Sequence, residues 1–342
     1  MFSLQSTPGR TAIVNEKELL FFSGYSYLGM NFVPEFKTLL QKGIDIYGVL
    51  FPSSRISNTA LDLYLKTEEK LNDLTQLPFT ILLPSGFTAG KAAVEIIDKN
   101  SCIFQSSFCH PAIRLGNNSS LSFSDWASDT VQTINQNIYQ TPPVILSDSV
   151  NQLTAEVHDF SFLNEIHQNI ICIIDDSHGI GLIGNDGSGI ISNLPRKENI
   201  EYIISYSLSK ALNIQAGAIS CTKQYTADKI RKSTWYTAVT PPSPAMLFAF
   251  CNASGIYQQQ RNHLNFLKKE FQILIDAKEG INFHPDLPVF VLPEEQDEDY
   301  FSKQGIIISS FAYPDPTGKK INRVVLNALH QIEDLQKLAN AL

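Results

Sequence analysis

The apolar positions of the chain fall into short, nearly continuous runs separated by polar and glycine-containing turns. Ile170-Ile171-Cys172-Ile173-Ile174 is the clearest of them. Consecutive apolar residues, most of them β-branched and too few for a helix, read as a strand buried on both faces of a parallel sheet. Runs at Phe79-Thr80-Ile81-Leu82-Leu83, Ser101 to Gln105, Val144-Ile145-Leu146, Tyr202 to Tyr206 and Ala216 to Cys221 repeat the pattern. Helical stretches lie between them: a turn at Pro84 to Gly90 leads into a helix through Ile97, and another helix is predicted from Phe160 to His167. Before these, residues 11–22 predict a hairpin, and Leu61, Tyr64, Leu65, Leu71 and Leu74 mark one face of an amphipathic helix. The repeated strand–helix order over 79–222 predicts an α/β fold with a mostly parallel sheet.

Pro241-Pro242 breaks this order, and Ser243 and Pro244 read as the cap and first position of one or two helices over 243–276. Strands at 289–292, 305–309 and 323–326 and a closing helix from His330 predict a smaller α+β domain. The expected division is an N-terminal segment 1–45, a large domain 46–240 and a small C-terminal domain 241–342. The acidic run Glu294 to Asp299 reads as a solvated loop.

Composition narrows the function. With 342 residues, 43% of them apolar, the chain can bury a large core. A net charge of −8 argues against a nucleic-acid partner, which requires a basic surface. The five cysteines have no metal-ligand spacing and read as reduced thiols of a cytoplasmic protein, so no metal site is expected. The N-terminus lacks the charged-then-apolar order of an export signal, and no run reaches the roughly 20 apolar residues of a membrane span.

The chemistry gathers where strands end. The run 170–174 stops in Asp175-Asp176-Ser177-His178-Gly179, and the carboxyl ends of strands are where open α/β sheets bind ligands. A carboxylate there needs a cationic partner, and the strand 202–206 runs into Ser207-Leu208-Ser209-Lys210. Asp175 and Lys210 either pair with each other or hold opposite ends of a flat cofactor. Pyridoxal 5′-phosphate (PLP) needs such an arrangement, a lysine for its Schiff base and an acid for its pyridinium nitrogen. The junction at Ser85-Gly86-Phe87 offers backbone N–H groups to an anion such as a phosphate, although such junctions are common without one. Strand alternation turns Asp176 away from Asp175. His110, taken alone, is a loop histidine.

Several of these segments occur together in a known order. Asp175 to Gly184 with Gly187 and Gly189 following, Ser85-Gly86-Phe87, Ser207-Leu208-Ser209-Lys210, Pro241-Pro242, and Arg323 seven positions before His330 form a set. From Ser26-Tyr27-Leu28-Gly29 to the C-terminal helix the chain resembles the α-oxoamine synthases, a branch of the fold-type I PLP-dependent transferases. The resemblance implies that Lys210 is the Schiff-base lysine and proton shuttle, that Asp175 holds the pyridine nitrogen protonated, and that His178 hydrogen-bonds the phenolic oxygen. It further implies that His110 stacks on the ring, that Gly86, Phe87 and Ser207 take the phosphate, and that Arg323 takes the amino-acid carboxylate. The implied reaction condenses a small amino acid, L-alanine for preference, with an acyl-CoA or acyl-carrier-protein thioester in a homodimer. Glycine as the amino acid, an aminotransferase, and a non-catalytic partner subunit are the alternatives. The chain departs from the family at Tyr25-Ser26, where Asn-Asp is usual, and at Gln152, which replaces a serine near the cofactor. It departs again at Ala238-Val239, which replace hydroxyl residues that reach the neighbouring subunit's phosphate, leaving Thr237 or Thr240 to compensate. At its N-terminus it is short where contacts to the acyl-CoA are expected.

Overall fold

The computed structural model describes residues 2–313 and 317–342. In chain order, the hairpin of β1 (Thr11–Val14) and β2 (Lys17–Phe22) precedes α1 (Pro34–Tyr47), α2 (Asp62–Thr75), β3 (Phe79–Leu83) and α3 (Gly86–Glu95). Then come β4 (Ile103–Gln105), α4 (Phe123–Gln136), β5 (Val144–Asp148), the short strands β6 (Val150–Asn151) and β7 (Glu156–Val157), β8 (Ile170–Asp175), β9 (Ile200–Ser207) and β10 (Gly217–Cys221). Four helices, α5 (Gln224–Lys232), α6 (Thr234–Thr237), α7 (Pro244–Asn252) and α8 (Ser254–Ile275), lead to β11 (Asn282–Phe283) and β12 (Val289–Val291). The chain closes with α9 (Glu298–Ser302), β13 (Ile306–Ala312), β14 (Lys320–Val325) and α10 (Ile332–Ala341).

The central sheet has six strands in the order β3-β10-β9-β8-β5-β4. β4, β5, β8 and β9 are mutually parallel, whereas β10 runs antiparallel to both β9 and β3. The sheet is therefore mostly parallel with one reversed strand. The connection from β9 to β10 spans only residues 208–216, shorter than the dozen or so residues of a parallel crossover, so β10 must turn straight back. Alternation along the strands divides the core between two faces: Ile145, Cys172, Ile174 and Ile204 on one, Val144, Leu146, Ile173 and Ile203 on the other. Covering both faces with helices explains the unbroken apolar runs.

A second sheet follows the order β1-β2-β13-β14-β12-β11. The N-terminal hairpin thus shares a sheet with the C-terminal strands, β2 pairing in parallel with β13 from Leu20 opposite Ile306 to Phe22 opposite Ile308. Arg10 Nε and Nη2 each donate to Asp334 at 2.7 Å, a bidentate pair. His330 stacks on Phe22 at 4.1 Å and donates from Nε2 to the Phe21 carbonyl at 3.1 Å. Burial lowers this imidazole to about 4, so it serves as a neutral link.

Two predicted elements take another form. Residues 160–167 contain only the short 3₁₀ turn Ser161–Glu165. Phe160 and Phe162 both pack on Phe123, which residues two apart on one α-helix cannot do. The acidic run 294–299 is only partly loop, because Asp297 Oδ1 accepts from the Asp299 and Tyr300 N–H groups and caps α9. No helix among the described residues is long and apolar enough to cross a membrane.

Candidate active site

Parallel registration aligns the carboxyl ends of three strands. Asp148, Asp175 and Ser205 occupy one row across β5, β8 and β9, with both acids buried. Asp175 Oδ1 accepts from the Ser177 N–H at 2.9 Å. Asp148 Oδ1 accepts from the His110 N–H at 2.8 Å. Burial, aided by the charge of Asp175, holds the Asp148 carboxyl well above the usual carboxylate range. Two acids on adjacent strand ends thus share one cationic neighbour, Lys210, in the turn after β9. Burial lowers the Lys210 ammonium while Asp175 and Asp148 pull it back up. Among the described residues Lys210 Nζ makes neither a hydrogen bond nor an ion pair, so it does not close with Asp175 as a plain salt bridge. Its main chain is fixed instead: Ser26 Oγ donates to Asn213 Oδ1 at 2.7 Å, and Asn213 Nδ2 donates to the Lys210 carbonyl at 3.0 Å.

Two histidines complete the rim. Nδ1 of His110 accepts from the Ala112 N–H at 3.2 Å, which puts the proton of the neutral ring on Nε2. Burial lowers its pKa further. His178 Nδ1 lies 2.7 Å from the Tyr27 hydroxyl. Burial, then the cations Lys210 and Arg323, hold His178 well below its usual value, and burial raises Tyr27. Tyr27 therefore donates, and His178 Nε2–H is free to donate onward.

At the start of α3, Ser85 Oγ accepts from the Thr88 N–H at 3.2 Å and its carbonyl accepts from Ala89, leaving the Gly86 and Phe87 N–H groups free. A Cβ at Gly86 would stand 2.5 Å from that of Ser207, so only glycine lets this helix end approach the tip of β9. The result is a cradle of two backbone N–H groups and the Ser207 hydroxyl, suited to a phosphate. Arg323 enters from β14 and stacks on Phe311 at 4.8 Å. Its Nε is buried without a partner.

The chain matches the description "Aminotransferase class I and II" over residues 111–342. It belongs to that family. Among curated members, it is 24% identical to 8-amino-7-oxononanoate synthase from Thermosipho melanesiensis, over 97% of this chain and 90% of that one. The same enzyme from Fervidobacterium nodosum is 26% identical over the same shares, and serine palmitoyltransferase from Sphingobacterium spiritivorum 22% identical over 98% and 88%. Among solved structures, serine palmitoyltransferase from S. paucimobilis with bound PLP and myriocin superposes with a TM-score of 0.84, at 14% identity, covering 100% of this chain and 91% of that one. For 8-amino-7-oxononanoate synthase from Francisella tularensis the TM-score is 0.72 at 21% identity, covering 94% and 96%.

The class I and II fold is thus that of the fold-type I PLP-dependent transferases, and PLP is its cofactor. The residues present fit it: an unpaired, half-buried amine at Lys210, an acid at Asp175, a free imidazole N–H at His178, and unengaged N–H groups at Gly86 and Phe87. No group of residues with the makings of a metal site occurs among the described residues. Asp148, Tyr27 and Asn213 escaped the sequence reading. Asp148 was accessible to it, since it ends an apolar strand as Asp175 does. The Asn213 contact rests on a residue in left-handed backbone, φ 54°, which no pattern announces. Of the hydroxyls flanking Ala238-Val239, Thr237 Oγ1 is engaged by the Ser233 carbonyl at 3.0 Å, and Thr240 is exposed.

Proposed function

We propose that this enzyme is an α-oxoamine synthase that condenses a small amino acid, L-alanine for preference, with an acyl-CoA or acyl-carrier-protein thioester, releasing the thiol carrier and carbon dioxide. 8-Amino-7-oxononanoate synthase, a step in biotin synthesis, is the favoured member, supported by the names of relatives aligned over nearly the full chain. The observation that carries the reading is the unpaired, half-buried Lys210 amine beside two strand-end acids, with the unpartnered Arg323 Nε contributed by the second sheet. PLP supplies an electron sink for charge developing at the amino-acid α-carbon. Lys210, its basicity reduced by burial, would hold the cofactor through its amine and is placed to move a proton at the amino-acid α-carbon. Asp175 would keep a proton on the cofactor's ring nitrogen, His178 would donate from Nε2 to its phenolic oxygen, and His110 would restrain its ring. Gly86, Phe87 and Ser207 would hold the phosphate, and Arg323 would take the substrate carboxylate. The protein acts as a cytoplasmic homodimer, with Thr240 as the hydroxyl left to reach the neighbouring subunit's phosphate. A serine-using enzyme is the second reading, favoured by the likeness to serine palmitoyltransferase.

An absorbance spectrum with L-alanine, glycine and L-serine added separately tests this. A visible-edge band that borohydride removes and Lys210→Ala lacks is the expected result, with L-alanine perturbing it most. Conversion of the cofactor to pyridoxamine phosphate makes the protein an aminotransferase instead. A wild-type protein that stays colourless with added PLP makes it a non-catalytic subunit.

A further inference from the structure

The hairpin of β6 and β7 carries Gln152 at its tip, and that tip reaches β14. The Gln152 carbonyl accepts from Arg323 Nη1 at 2.8 Å, and the side-chain Oε1 accepts from the same nitrogen at 3.1 Å. A guanidinium has five N–H donors, so Gln152 occupies both hydrogens of Nη1. Nε is buried with no partner, and Nη2 makes no hydrogen bond among the described residues. With Phe311 against one face, the donors of Arg323 left without a hydrogen-bond partner among the described residues are Nε and Nη2, adjacent and parallel in the way that matches a carboxylate. Both acceptors on Nη1 are uncharged, which leaves the full positive charge for a ligand. The tip is itself held: Val150 pairs with Val157, Asn151 with Glu156, and Asn151 Oδ1 accepts from the Leu153 N–H at 3.1 Å. A serine, the residue usual in the resembling family, has no atom matching Oε1 at this reach.

We propose that Gln152 is a positioning residue that aims the Nε–Nη2 edge of Arg323 at the amino-acid carboxylate and so sets affinity for carboxylate-bearing substrates. The inference rests on the reading of this site as one that binds an amino acid. Truncating Gln152 removes the Oε1 acceptor and leaves the main-chain carbonyl alone to hold Nη1, which loosens the guanidinium's orientation. Replacing it with glutamate keeps the reach but cancels the charge.

Calorimetric titration of the PLP-loaded protein with L-alanine and with L-alaninamide, which lacks the carboxylate, is the test. Gln152→Ala is expected to weaken L-alanine binding about 10-fold, the scale of one lost charge-assisted hydrogen bond. Gln152→Glu is expected to weaken it further, and both variants should bind L-alaninamide and PLP as the wild type does. Equal losses for the two ligands would mean general damage to the site and would overturn the inference, as would an unchanged L-alanine affinity in Gln152→Ala and Gln152→Glu. Wild-type protein that takes up PLP but binds no amino acid overturns the functional reading, and this inference with it.

Discussion

Asp176 is the acid that the chain uses to organise its own backbone. It accepts from Ser149 Oγ at 2.6 Å and from the Ile190 N–H at 2.9 Å. Its carboxylate also lies against Gly179 and Gly189, where an added Cβ would come within 2.0 Å and 1.9 Å of its oxygens. Gly189 has a positive φ of 83°, so both space and backbone conformation require glycine there. Burial raises Asp176 from 3.8 to about 7. Between these values the folded protein keeps a proton that the unfolded chain releases, so this residue's contribution to stability falls as pH rises through that window and levels off above it. Asp176→Asn, which preserves an acceptor for Ile190, should therefore gain on the wild type in urea unfolding from pH 4 to pH 8. Asp176→Ala should cost about 1–3 kcal/mol at pH 5 by stranding its two donors. At this scale the sequence was legible where a residue ends a strand. Lys210, Asp175 and His178 follow apolar runs, and alternation correctly turned Asp176 away. The contacts of Tyr27 with His178 and of Gln152 with Arg323 span long chain separations, which no local pattern encodes.

Elements are tied together at a buried charge. Glu68 on α2 accepts from Arg55 Nη2 at 2.9 Å, from Arg231 Nη2 of α5 at 3.2 Å, and from the Leu82 N–H of β3 at 3.0 Å. Arg55 is held between the Tyr64 and Tyr236 rings at 4.8 and 4.7 Å. Glu68→Ala should destabilise the protein by about 3–5 kcal/mol in urea unfolding, because it leaves a buried guanidinium without its acid. The apolar positions revealed the amphipathic helix but not the role of Glu68, since a buried carboxylate and a solvated one look alike in sequence. Central strands were read almost residue for residue, because burial on both faces writes an apolar run. The turn at 161–165 was not, because its shape follows from aromatic packing against α4.

At the scale of the whole molecule, the N-terminal hairpin closes onto the far end of the chain through the Arg10–Asp334 pair, His330 and the β2–β13 pairing. Burial raises the Asp334 carboxyl, but the hydrogen bonds from Arg10 and the Gln331 N–H outweigh it and leave the pKa below 3.8. That stabilisation is present above pH 4 and is lost as pH falls through the folded-state value. Arg10→Ala should cost about 2 kcal/mol at neutral pH, with the difference from wild type shrinking in urea titrations run below pH 4. The hairpin was legible in the sequence; its partner was not, because nothing in residues 11–22 names a strand so far away.

That closure also bears on how the protein is made. Ser23 and Ser309 touch across a separation of 286 positions. While the ribosome is still extending the chain, the α/β core can assemble from contacts already synthesised, but the free edge of the first hairpin has no strand to meet until Ile306–Ala312 has been made. Throughout that interval it is an open β edge on a nascent polypeptide, the kind of surface that chaperones cover and that pairs wrongly when they do not.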